Sequence, residues 1–221
     1  MSLQDKLDAF KADFEGNKAP PQVVAVMHKA TADLIASGQA ERALKAGMKA
    51  PDFALPDAHG GTVRSAELLK KGPLVLTFYR GVWCPYCNMD LQAIEATANE
   101  IRALGASLVA ISPQTAPSRR KSERENELSF PILSDHGNAL ANQFGLRYRL
   151  PDELIAVYKG FGNDLAIGNG EDSWTLPMPA RYVVGTDGTI EYAEVNADYT
   201  RRPDPSELLP VLRRFQANAA A

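Results

Sequence analysis

At 221 residues with 45% hydrophobic content, the chain can bury a sizeable core without disulfides or metals to staple it. Its 24 Lys and Arg against 27 Asp and Glu leave a formal charge of -3, which supplies no field to hold nucleic acid or an anionic membrane surface. The opening "MSLQDKLDAFKADFEG" is acidic where a secretory leader is basic, and no stretch reaches the roughly 18 apolar residues of a membrane helix, so the reading is a cytoplasmic protein.

Leu3, Leu7, Phe10 and Phe14 recur at helical spacing, Gly16 and Pro20-Pro21 interrupt, and Val23, Val24, Met27, Leu34 and Ile35 resume the pattern. Residues 1–46 therefore read as an N-terminal helical extension. It either packs on the main domain or offers a surface to a partner or, in a homodimer, to a second copy. Residues 47–221 read as a single domain in which β-rich runs alternate with helical ones. The strands are "LVLTFY" (74–79), "SLVAIS" (107–112) and "RYVVGTDGTIEYAEV" (181–195), the last folded into a hairpin at Thr186-Asp187-Gly188. Between them, Pro85 to Leu104 carries Leu91, Ile94, Ile101 and Leu104 on one helical face, and a second helical region surrounds 138–144. The basic run Arg119-Arg120-Lys121, followed by Glu123, Glu125 and Glu127, reads as a solvated helix face. Residues 150–179, rich in Gly, Asn and Asp, read as a long excursion before the hairpin. Asp204, Pro205 and Glu207 sign the start of a last helix with a capping box. This order predicts an α/β fold with a central mixed sheet flanked by helices.

The only two cysteines, Cys84 and Cys87, stand three apart in "FYRGVWCPYC". Pro85 suits the first position of a helix, which places Cys84 at a helix N-terminus. Unpaired N–H groups there favour a thiolate, lowering its pKa from about 8.5 to about 7 or below. On this reading Cys84 is the nucleophile and Cys87, one turn further in, the less ionised resolving thiol. A zinc site needs about four ligands, and His28, His59 and His136 lie in separate segments, so neither a metal nor another cofactor is expected. Two inert core cysteines are the bland alternative. A C-x-x-C pair between a strand and a helix points to thiol redox chemistry instead.

These residues and their surroundings resemble the thioredoxin-like superfamily, and within it the peroxiredoxin-like branch of alkyl hydroperoxide reductase and thiol-specific antioxidant proteins. The likeness covers roughly 47–215 and is carried also by "GMKAPDFALPDAHGGTV" (47–63), "LGASLVAISPQT" (104–115), "LSFPILSDHGNALANQFGL" (128–146) and "LPMPARYVVGTDGTI" (176–190). It implies a thioredoxin-like fold and a cis bond before Pro179, facing the cysteines. It also implies a shielding role for Trp83. Arg80 or Arg181 could supply positive charge to the thiolate. The family's proline seven residues before the peroxidatic cysteine and threonine three before it are, counted from Cys84, replaced by Thr77 and Gly81.

The resemblance implies a thiol-dependent peroxidase that reduces hydroperoxides through a Cys84/Cys87 dithiol–disulfide cycle, with a thioredoxin or glutathione system as reductant. A thiol–disulfide oxidoreductase acting on protein or glutathione disulfides is the enzymatic alternative. A redox-sensing module whose helical extension engages a partner is the non-enzymatic one.

Overall fold

The structure is a computed structural model that describes residues 1–219. Ser2 caps the first helix, α1 (Leu3–Asp13): its hydroxyl accepts from the Asp5 N–H while the Asp5 carboxylate accepts from the Ser2 N–H. A wider π turn, Phe14–Lys18, then leads to α2 (Pro21–Ala36) and the short α3 (Gln39–Arg42). Next come an antiparallel hairpin of β1 (Ala54–Pro56) and β2 (Thr62–Arg64), α4 (Ser65–Leu69) and β3 (Leu74–Phe78). The chain continues through α5 (Pro85–Ala103), β4 (Ser107–Ser112), α6 (Ala116–Glu125), β5 (Ile132–Ser134) and α7 (Ala139–Gln143). The second half holds β6 (Arg147–Arg149), α8 (Asp152–Gly160), α9 (Leu165–Asn169), β7 (Thr175–Pro177), β8 (Ala180–Val184), β9 (Ile190–Val195) and α10 (Leu208–Ala219).

The central sheet runs β5-β4-β3-β8-β9. β3 pairs parallel with β4 and antiparallel with β8, which makes the sheet mixed. Every residue of β3 is buried, because helices cover both faces, and its sequence is accordingly a near-continuous apolar run. On one face Val75 packs with Leu91, Ile94 and Leu212; on the other Leu76 and Phe78 pack with Phe144 and Tyr182. No helix among the described residues is long and apolar enough to cross a membrane.

The folded chain bears out some of these expectations and changes others. Leu3 and Leu7 belong to the main core, so α1 is built into the domain's packing. The excursion at 150–179 holds two helices and one strand of the β6–β7 hairpin, and Leu154, Tyr158, Trp174 and Leu176 form a satellite core against Val26 and Met27 of α2. Its polar loops hid this core because the apolar residues come from three separate short elements and the loops between them. Arg119 is not solvated: it is buried, and its guanidinium donates to the carbonyls of Gln114 and Asp57, tying α6 to the first hairpin. The Asp204 capping box is present, and it heads a 3-10 turn, Pro205–Glu207, that runs into α10.

Candidate active site

β3 ends at Phe78, and the chain turns through Tyr79–Trp83 so that Cys84 becomes the N-cap of α5, with Pro85 in its first turn. Gly81 is required in that turn, since its φ is 151° and a Cβ there would lie 2.5 Å from Trp83 Nε1. Two side chains hold the loop: the Val82 N–H donates to Gln114 Oε1 at 3.0 Å, and Asn88 Nδ2 donates to the Val82 carbonyl at 2.7 Å. Both cysteines are free and buried, one at the cap and one in the first turn of α5.

The surroundings of the two sulfurs differ. Arg202 Nη2 donates to Cys87 Sγ at 3.4 Å, and its Nε donates to Asp90 at 3.2 Å. Asp90 lies one turn beyond Cys87 on α5, and its other oxygen accepts from Arg181 at 2.5 Å. Burial opposes ionisation of Cys87. The hydrogen bond from Cys84, the charges of Arg202 and Arg80, and the Arg80 backbone N–H outweigh it, bringing the Cys87 pKa down to about 6. Burial pushes the Cys84 thiol up, and its bond to Cys87 and the charge there push it further, more than Arg80 and Arg202 recover. The sequence places the thiolate on Cys84; the guanidinium contact and these directions favour charge on Cys87. Cys84 does stand at the helix N-terminus, but the guanidinium contact goes to Cys87.

Arg80 is fully buried with its guanidinium carbon 4.1 Å from the Tyr199 ring centre and 4.9 Å from that of Trp83, and it donates to the Tyr158 hydroxyl. Thr77 is buried in β3 directly opposite Arg181 on β8, which fixes where that guanidinium starts. Pro179 lines a small void with Thr77, Asp90, Arg181 and Arg202, so it does lie in the site's surroundings. The Met178–Pro179 bond is nevertheless trans, as are all peptide bonds among the described residues. The chain passes from β7 to β8 in extended form here, with Met178 buried in the core and its N–H held by the Leu146 carbonyl.

Cys84 opens onto an apolar cavity of about 190 Å³ walled by Trp83, Tyr86 and Phe161, with Phe10 and Phe14 contributed by the N-terminal region. Asp90, Arg202, Tyr158 and Tyr199 were not singled out from the sequence. Asp90 left one signal there, as an acidic residue on the helical face of Cys87, Leu91 and Ile94. Arg202 left none, because it reaches Cys87 from 115 residues away.

The profile described as the AhpC/TSA family matches residues 46–193. Chloroplastic peroxiredoxin Q of Triticum aestivum is 28% identical over 181 residues, covering 82% of this chain and 73% of that protein. Among solved structures, peroxidoxin BcpB from Mycobacterium tuberculosis superposes with a TM-score of 0.61 at 25% identity, covering 78% of this chain and 98% of that one. AhpC of Enterococcus faecalis superposes at 0.60 with 19% identity, over 79% of this chain and 94% of its own, a likeness of fold.

Proposed function

The chain belongs to the AhpC/TSA family and is a thiol-based oxidoreductase of the peroxidase type, and we propose that Cys87 is its attacking thiolate and Cys84 its resolving thiol. The observation that carries the assignment of roles is the Arg202 guanidinium seated on Cys87 Sγ. Counted back from Cys87 rather than Cys84, the family's proline and threonine positions fall on Arg80 and Cys84. A thiol then stands where the threonine would, one turn before the attacking sulfur.

In the cycle, the Cys87 thiolate attacks the outer oxygen of a hydroperoxide, the O–O bond breaks, and the alcohol leaves with a proton taken from water. Cys87 becomes a sulfenic acid. Cys84 attacks that sulfur, its proton departs with the hydroxide as water, and a Cys84–Cys87 disulfide forms. An external thiol, from a thioredoxin or a glutathione system in a reducing cytoplasm, returns the pair to the dithiol. Arg202 and Arg80 stabilise the thiolate, Asp90 and Arg181 hold Arg202 in place, Thr77 and Pro179 line the pocket behind them, and Trp83 walls the approach to Cys84.

Single-turnover oxidation of Cys84→Ser and Cys87→Ser by hydrogen peroxide tests the roles. Cys84→Ser should keep the first oxidation within about tenfold and accumulate a trappable sulfenic acid, while Cys87→Ser should lose roughly 10³-fold or more. The opposite pattern would return the attack to Cys84. Oxidation by glutathione disulfide alone, with no peroxide reaction faster than an ordinary thiol, would instead support a thiol–disulfide oxidoreductase.

A further inference from the structure

Beside the redox pair two cavities meet at Arg80, Tyr158 and Tyr199. One is the apolar chamber of Cys84. The other is larger, about 430 Å³, and more polar, with Arg147 and Arg149 of β6 on one wall and Thr31 and Ser37 of the α2 region on another. Its charge balance is uneven. Among the described residues Asp33 is its one acidic wall residue and already holds Lys29 at 2.5 Å, and Arg149 is answered by Asp152 at 2.8 Å. Among the described residues neither Arg147 nor Arg80 forms an ion pair.

Arg80 is the informative group. A guanidinium that is 1% exposed and has no carboxylate partner is costly unless an anion answers it, and its Nε has no hydrogen-bond partner at all. The Cys87 thiolate does not settle the account. Arg181 and Arg202 share Asp90, which leaves one positive charge for the thiolate to balance, and Arg80 remains in surplus. A single surplus buried charge suits a carboxylate better than a doubly charged phosphate, and a guanidinium fork suits its planar geometry.

We propose that this chamber is a subsite for the carboxylate of a low-molecular-mass reactant, bound between Arg147 and Arg80. The proposal rests on the thiol-peroxidase reading and extends it to a recognition element outside the cysteine pair. The carboxylate belongs either to the thiol that reduces the disulfide or to the hydroperoxide that oxidises the thiolate. In the first case two thiols are consumed: one thiolate opens the Cys84–Cys87 bond to a mixed disulfide, the second displaces it, and the pair takes up two electrons and two protons. Either source predicts the same linkage. Disulfide formation removes the thiolate charge beside Arg202 and Arg80, so the oxidised protein should hold the carboxylate more tightly than the reduced one.

The test is calorimetric titration of the full chain with butyrate at pH 8, in the oxidised and reduced states, for wild type, Arg147→Gln and Arg147→Lys. Saturable binding about fivefold or more tighter to the oxidised form, weakened roughly tenfold by Arg147→Gln and largely kept by Arg147→Lys, is expected. No saturable binding, equal affinity in both redox states, or indifference to Arg147→Gln overturns the subsite. Steady-state kinetics then identifies the source. Arg147→Gln should raise KM, with kcat kept, either for 3-mercaptopropionate but not its amide, or for a carboxylated hydroperoxide but not its ester; a KM unmoved in both comparisons also overturns the proposal. Because the titration needs no turnover, a failure of the peroxidase reading would show separately, as absence of peroxide consumption.

Discussion

Cys84 and Cys87 sit one helical turn apart, yet one faces aromatic rings and the other a guanidinium. On the Cys84 side, Trp83, Tyr86, Tyr158 and Tyr199 surround a cavity whose only cation among the described residues is Arg80, which makes no ion pair there. On the Cys87 side, Arg202, Asp90 and Arg181 form a buried polar chain that ends on the sulfur. The helix N-terminus favours Cys84 by about 0.3–1 kcal/mol, up to about 2 when partly buried. A nearby opposite charge is worth about 1–3 pKa units, each about 1.4 kcal/mol, and burial can cost more than either. With both thiols buried, the contact with Arg202 is the larger of the two local effects, and on the proposed assignment it outweighs the helix terminus.

The comparison can be broken most severely at Asp90. Asp90→Asn leaves Arg181 and Arg202 without their shared carboxylate, and urea unfolding should show a loss of about 3–5 kcal/mol. The Cys87 pKa should not rise in that variant, because both cations near the sulfur remain. A protein that keeps its stability would show that the polar chain does not hold the site together.

Arg202→Gln removes the contact that distinguishes the two sulfurs. The Cys87 pKa should rise by about 1–3 units in a 240 nm thiolate titration, and the peroxide rate at pH 7 should fall by roughly tenfold. An unchanged titration would place the thiolate elsewhere.

The wild-type pH profile sharpens the same point with a smaller effect near neutrality. Cys87 has a folded pKa below its ordinary value, so its ionisation stabilises the reduced protein fully above the ordinary thiol range, and that stabilisation is lost as pH falls through about 6. The peroxide rate should be level above about pH 7 and drop about tenfold per unit well below 6. The disulfide form should lack this contribution to stability, which a comparison of reduced and oxidised unfolding at pH 5 and pH 8 would read. The mildest change is Gly81→Ala on the Cys84 side, where a Cβ meets the Trp83 ring; a loss of about 1–3 kcal/mol is expected, with the Cys87 titration unmoved.

Much of the framework was legible because its signals are local. The runs at 74–79 and 107–112 became β3 and β4, Pro85 opened α5 behind Cys84, and Asp204 with Glu207 formed the capping box they spell. Each depends on residues within a few positions of one another, where steric and hydrogen-bonding preferences act without the rest of the fold. The satellite core of α8, α9 and the β6–β7 hairpin was not legible, because each apolar contribution is too short to show a period. Arg119 misled for a related reason: its carbonyl partners, Gln114 and Asp57, lie partly in another segment.

The sequence by itself determined that a strand delivers two cysteines to the first turn of a helix, and so that the chemistry is that of a close thiol pair. Which sulfur receives a guanidinium was decided only by the tertiary structure. Arg202 lies 115 residues from Cys87 and Arg181 lies 91 from Asp90, and the four meet because β8 pairs beside β3 and the segment leading to α10 returns across α5. Electrostatic energy depends on distance through space and on the water removed between the groups, and neither quantity exists until the chain has closed on itself.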